Sequence, residues 1–124
     1  KMPFKTRSFD AVTASFGVRN FSDVEQAFSE IKRVLKYEGK FYCLEFSQIN
    51  NPYLRKVFSF YSRIIPFYGK LFLNNEKAYS YLVSSIKKFP NQIQLTKKLL
   101  KAGFKNVEAI DILDGLASIH TAEL

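Results

Sequence analysis

Apolar and polar positions along the chain change their spacing several times, and each change marks an element. Residues 9–16 form an apolar, partly β-branched run, the pattern of a strand buried on both faces. Ser22-Asp-Val-Glu25 then predicts a capping box, the serine side chain taking a free amide while the glutamate reaches back. Val24, Ala27, Phe28, Ile31, Val34 and Leu35 follow at helical spacing. Gly39 is expected to close that helix, with Lys32, Arg33 and Lys36 near its negative end. Phe41–Phe46 predicts a second strand. A strand, helix and strand of this length make a βαβ crossover, so the two strands should run parallel.

Asn50-Asn-Pro52 breaks the chain before a different kind of segment. There Leu54, Val57, Phe58, Tyr61, Ile64 and Ile65 predict one apolar helical face, and Arg55, Lys56, Ser59, Ser62 and Arg63 the opposite polar one. Pro66 should end or kink that helix. Tyr79, Leu82, Val83 and Ile86 recur at helical spacing. Pro90 opens a further helix carrying Leu95, Leu99 and Ala102, and Gly103 terminates it. Val107–Leu113 and Leu116–Thr121 predict two short strands around Asp114-Gly115, a hairpin signal.

The chain therefore divides into a strand-helix-strand unit (1–47), a helical cap (48–89), and a helix with a C-terminal hairpin (90–124). The fold class is α/β, a parallel sheet ending in an antiparallel hairpin and interrupted by a helical insertion. Its 124 residues, 47% of them hydrophobic, suit one domain with a modest core. No apolar run approaches the ~18 residues that a membrane-spanning helix needs. The single cysteine, Cys43, excludes an internal disulfide and reads as a small core residue, which suits a reducing compartment.

Nineteen Lys and Arg against eleven Asp and Glu give a net charge of +8. The cations are spread along polar faces, and the motifs of RNA-binding modules are absent, so nucleic-acid binding is not expected. A basic surface facing anionic lipid is the reading taken here. No metal site is expected.

The chemistry gathers where the two parallel strands stop. Ser15, Arg19, Asn20, Glu45 and Ser47 would lie along one sheet edge, the carboxyl-terminal edge where open α/β sheets bind ligands. Arg19 is always charged and fork-shaped, so it suits stabilisation of developing negative charge; a helix-cap or surface arginine is the plain alternative. Asn20 could fix a substrate oxygen or a water, or simply start the next helix. Glu45 ends a buried strand, which suits either a base or hydrogen-bond anchor of raised pKa, or a salt bridge to a neighbouring cation. Ser47 fits a turn residue as well as a substrate contact. His120, the only histidine, should be carried away from the ligand edge by the reversed final strand and is expected to be structural.

Two blocks, Ser15-Phe-Gly-Val-Arg-Asn20 and Arg33–Ser47, resemble signatures of the ubiquinone/menaquinone biosynthesis C-methyltransferase family, which uses S-adenosylmethionine. Tyr81-Leu-Val-Ser-Ser-Ile86, Phe89-Pro-Asn-Gln92, Ala102-Gly-Phe104 and Ile119-His120 extend the likeness over nearly the whole chain. The chain departs from the family where it has Lys36-Tyr-Glu-Gly39 in place of Lys-Pro-Gly-Gly, and in its ending Thr121-Ala-Glu-Leu124. None of its five glycines forms the Gly-x-Gly turn that grips the cofactor, and the ribose-binding acid is missing too.

The resemblance implies the C-terminal half of a class I S-adenosylmethionine-dependent methyltransferase sheet, with strand order 4-5-7-6 in the family's numbering and the first of these strands left at an edge. It implies C-methylation of a polyprenylated benzoquinol or naphthoquinol, with little cofactor affinity in this chain alone. Arg19 and Asn20 would be catalytic, and Ser15, Phe16 and Gly17 would line the cofactor. Glu45 and Ser47, with Tyr79 and Tyr81 of the prenyl-binding cap, would meet the substrate. A peripheral position on the inner membrane, from the cytoplasm or the mitochondrial matrix, and a homodimer or quinone-synthesis complex complete the expectation. The alternative is a non-catalytic scaffold that binds prenyl quinones within such a complex.

Overall fold

The computed structural model describes residues 1–61 and 76–124. Strand β1 (Phe9–Ser15) passes through a 3-10 turn (Val18–Asn20) to helix α1 (Val24–Val34) and strand β2 (Leu35–Phe46). Residues 52–61 are helical (α2). After them come α3 (Glu76–Lys88), α4 (Gln92–Lys101), β3 (Lys105–Ile112) and β4 (Ala117–Glu123). The four strands form one sheet in the order β1-β2-β4-β3. β1 and β2 are parallel, while β4 runs antiparallel to both β2 and β3. This is the expected βαβ unit closed by a reversed last strand, with β1 at the edge.

Strand alternation decides where the core lies. Phe41, Cys43 and Glu45 of β2 share a face with Val12 and Ala14 of β1 and with Ala122, His120 and Ser118 of β4. Phe28 and Ile31 from α1, Leu95 and Leu99 from α4, and Phe104 close over that face. Phe41 lies between Phe28 and Phe104, at centroid distances of 6.0 and 5.9 Å. Burying one such ring fully contributes about 1.5–3 kcal/mol. Cys43 packs in this layer, where burial pushes its thiol up to about 12. His120 is fully buried beside it, and its Nε2–H donates to the Gln92 carbonyl at 3.1 Å. Burial lowers its pKa and keeps the ring neutral, which is the structural role expected of it.

Five details differ from the sequence expectation. Strand β1 is covered on one face only, not on both: Asp10, Ala11, Thr13 and Ser15 are exposed, because the helices close over the opposite face. The residue capping α1 is Asp23 rather than Ser22: its carboxylate accepts from the Gln26 amide at 2.9 Å, and a charged cap also answers the helix dipole. The reciprocal capping box occurs at α4, between Asn91 and Gln94.

Helix α1 ends at Val34, well before Gly39. Leu35 already pairs with Phe9, and the register then jumps to Ala11 opposite Lys40, so residues 36–39 loop out of the ladder. Glu38 takes the left-handed conformation there, at φ 61°. Gly39 serves close approach instead: a Cβ on it would lie 2.9 Å from the Lys36 carbonyl and 3.2 Å from that of Asp10. A non-glycine residue held left-handed is strained, and glycine relieves the strain. Glu38→Gly is therefore expected to raise stability by about 1 kcal/mol, read as a higher urea midpoint at unchanged slope.

The hairpin connection spans residues 113–116, longer than a two-residue turn, with Leu113, Asp114 and Gly115 all at positive φ. In α2, Leu54, Val57 and Tyr61 are exposed although they belong to the face expected to pack. Arg55 sets that rotation. Its Nε and Nη2 donate to the carbonyls of Ile49 and Asn50 at 3.0 and 3.3 Å, and Phe58 and Ser59 are the half-buried residues of the helix. The kink expected at Pro66, with Ser62, Arg63, Ile64 and Ile65, falls outside the described residues.

Candidate functional site

The site is built where β1 and β2 end side by side. Ser15 closes β1, exposed and opposite Leu44. The Phe16 amide still donates to the Leu44 carbonyl at 2.8 Å, but Phe16 itself turns left-handed, at φ 51°. That conformation is unusual for a bulky residue and marks a strained strand tip. It swings the chain out of the sheet through Gly17 into the 3-10 turn. Val18 is fully buried and pins the turn, which leaves Arg19 and Asn20 at the tip.

Arg19 and Glu45 meet there. Arg19 Nη1 donates to Glu45 Oε1 at 2.6 Å, and the Arg19 backbone N–H donates to Oε2 at 2.9 Å. The same Nη1 reaches the Phe16 carbonyl at 2.6 Å, and the guanidinium lies 5.3 Å from the centre of the Phe46 ring. Glu45 is completely buried and the Arg19 side chain nearly so. Of the two readings of Glu45, the geometry supplies the ion pair. With both oxygens engaged, Glu45 acts through Arg19. Burial pushes its pKa up, against the opposing pull of the Arg19 bonds and charge. Arg19 Nε is buried and has no partner among the described residues, and no bond of Nη2 is seen among them either.

Asn20 is exposed and bonded outward, its Oδ1 accepting from the Tyr81 hydroxyl at 2.8 Å. Ser47 follows β2. Its amide donates to the Leu116 carbonyl at 3.0 Å, while its buried hydroxyl has no partner among the described residues. Ser47 belongs to the wall of a cavity of about 460 Å³. Phe46, Ile49, Phe58, Leu82, Val83 and Ile86 make the wall mostly apolar, and Arg55 and Lys87 add charge.

The structure thus brings Ser15, Phe16, Gly17, Arg19, Asn20, Glu45, Ser47 and Tyr81 to one end of the sheet. Tyr79 lies in α3, but its side chain is outside the described ones. Two features escaped the sequence reading. Phe46 links the pair to the cavity, contacting Phe16 at 4.7 Å between ring centres; its place beside Glu45 was the available signal. The loop after β2 is clamped to the hairpin, with Asn50 bonded to Asp111 and the Asn51 amide to Asp114. Neither pairing leaves a trace in local spacing.

A sheet with this order and a polar strand tip beside an apolar cavity has the fold of class I S-adenosylmethionine-dependent methyltransferases. A methyltransferase of Thermotoga maritima superposes with TM-score 0.67 at 18% identity, over 99% of this chain and 59% of its own. Phosphoethanolamine N-methyltransferase 2 of Haemonchus contortus, solved with S-adenosyl-L-methionine, gives TM-score 0.64 at 14% identity, over 97% of this chain and 34% of its own. More specifically, the chain belongs to the ubiE/COQ5 methyltransferase family, whose sequence profile matches residues 1–123.

Among its relatives is the mitochondrial 2-methoxy-6-polyprenyl-1,4-benzoquinol methylase of Dictyostelium discoideum, 44% identical over 98% of this chain and 39% of its own. The ubiquinone/menaquinone biosynthesis C-methyltransferase of Brucella canis is also 44% identical, over 98% of this chain and 45% of its own. The chain therefore spans less than half the length of these relatives.

The residues present fit one side of S-adenosylmethionine. A Cβ at Gly17 would meet nothing nearer than the Ser15 carbonyl at 3.8 Å, so the space beside the turn is open. The half-exposed Phe16 ring offers an aromatic face to a sulfonium or an adenine. The glycine-rich turn is not among these 124 residues. No helix among the described residues is long and apolar enough to cross a membrane.

Proposed function

We propose that this chain forms the quinol-binding part of an enzyme that methylates a ring carbon of a polyprenylated benzoquinol or naphthoquinol. The observation that carries the reading is the buried, unpartnered Ser47 hydroxyl beside a mostly apolar cavity wall, one residue from Phe46 and two from Glu45. Such a cavity suits a prenyl tail with one hydrogen-bonding oxygen at its ring end. The relatives' names supply the substrate class.

When bound, S-adenosylmethionine supplies an electrophilic methyl group. The chain's own residues prepare the carbon that receives it. Ser15, Phe16 and Gly17 line the cofactor side. The cavity seats the tail, and Ser47 donates a hydrogen bond to a ring oxygen. Arg19, held by Glu45, opposes the negative charge left on the quinol oxygen when its proton passes to solvent at the exposed strand tip; that charge enriches the neighbouring ring carbon, which releases its own proton to solvent after it takes the methyl group. Asn20 donates from its amide to the same oxygen, and the cap, with Tyr79 and Tyr81, keeps water from the ring. The exposed face of α2, with Tyr53, Leu54, Val57 and Phe60 beside Lys56, suits shallow contact with an anionic inner-membrane surface, from the matrix or the cytoplasm.

The test uses full-length protein and a methyl-labelled donor. Label is expected in the ring of a prenylated quinol. Val83→Trp, which fills the cavity, is expected to raise KM for that substrate about tenfold while changing a tail-less quinol little. Absence of transfer to every quinol tried defeats the proposal, as does equal loss with both substrates.

A further inference from the structure

We infer that Tyr81 is a positioning residue for Asn20, an inference that rests on the methyl-transfer reading above. The bond between them joins two parts that otherwise meet little: α3, whose Leu82, Val83 and Ile86 wall the cavity, and the 3-10 turn at the strand tip. Its direction matters. A carboxamide has an accepting oxygen and a donating nitrogen on one planar group, and rotation about its last bond exchanges them.

The Tyr81 hydroxyl donates to Oδ1 at 2.8 Å, which places that oxygen on the α3 side; a phenol donates more readily than it accepts, so this orientation is favoured over the flipped one. The Asn20 Nδ2 is then turned the other way, and it makes no hydrogen bond among the described residues. Its two hydrogens are left for an oxygen at the strand tip. Without the hydroxyl, the amide can flip and present a lone pair where a donor is needed for developing negative charge.

Because Tyr81 is adjacent in sequence to Leu82, the same helix that touches the prenyl tail also sets the orientation of Asn20. Seating the tail and orienting the amide thus belong to one element, the arrangement by which binding energy remote from the reacting centre serves the chemical step.

Tyr81→Phe removes only the hydroxyl. In full-length protein saturated with S-adenosylmethionine, Asn20→Ala and Tyr81→Phe are each expected to lower kcat about tenfold, the scale of one lost hydrogen bond. Tyr81→Phe should leave KM for the quinol within about twofold, and the double variant should fall no further than Asn20→Ala alone. Losses that multiply in the double variant overturn the inference, and so does an unchanged kcat in Asn20→Ala. Thermal unfolding of the same four proteins reads the bond without activity: the double variant's shift should be smaller than the two single shifts together. If the wild type methylates no quinol, the functional reading falls, and this unfolding cycle alone decides the latch, additive shifts overturning it.

Discussion

Glu45→Ala is expected to destabilise the fold by about 3–5 kcal/mol, because it leaves the Arg19 guanidinium in a nearly dry position without its counter-charge. The backbone contributes as well, since the Arg19 amide loses its acceptor on Oε2. Glu45→Gln keeps the shape and one accepting oxygen, so its loss should be nearer 1.5–3 kcal/mol, the range for hydrogen bonds to charged groups. Urea unfolding at neutral pH compares the two. A loss under about 1 kcal/mol in Glu45→Ala would mean that the pair behaves as a solvated surface contact.

The same carboxylate gives a pH signature of opposite sign in stability and in activity. Burial lifts the folded-state pKa of Glu45 above the ordinary glutamate value. Between the ordinary value and the lifted one, the folded chain holds a proton that the unfolded chain has released. The group's contribution to stability is therefore fully present below the ordinary value and fades as pH rises through the lifted one. Pairing with Arg19 needs the ionised form. Methyl transfer should fall on the acid side at a pH above the usual glutamate range, and in Glu45→Gln that acid limb should vanish into a uniformly low rate.

The fold was legible because strand and helix periods are local. Residues 9–16 and 41–46, with the helical row Phe28, Ile31 and Val34 between them, define the βαβ unit without tertiary information. Glu45 and Arg19 were nameable from position alone, since strands that end together put their last residues together. What escaped depends on choices made in three dimensions. Nothing in Lys36-Tyr-Glu-Gly39 says that the left-handed residue is Glu38, because glycine is the default for that role and Gly39 stands next to it. The outward face of α2 follows from two bonds of Arg55 to the loop after β2, and a hydrophobic pattern carries no record of them. The capping choice between Ser22 and Asp23 turns on one residue of helix start, which competing caps leave open.

Arg19 separates charge from geometry. Arg19→Ala is expected to lower kcat for methyl transfer by about 10²–10³-fold, the effect of removing one preorganised donor from a developing oxyanion. Arg19→Lys decides between two causes of that loss. A lysine keeps the positive charge opposite Glu45 and should preserve most of the stability. It is nevertheless a point charge on a flexible stem. One ammonium cannot hold Glu45 Oε1 and the Phe16 carbonyl while also presenting the planar fork of donors that a guanidinium offers. The lysine variant should therefore unfold close to the wild type and still be slowed at least about thirtyfold, with most of the change in kcat. Recovery to within about threefold of wild-type kcat would reduce Arg19 to a counter-ion for a buried carboxylate, and the oxyanion role assigned to it would be wrong.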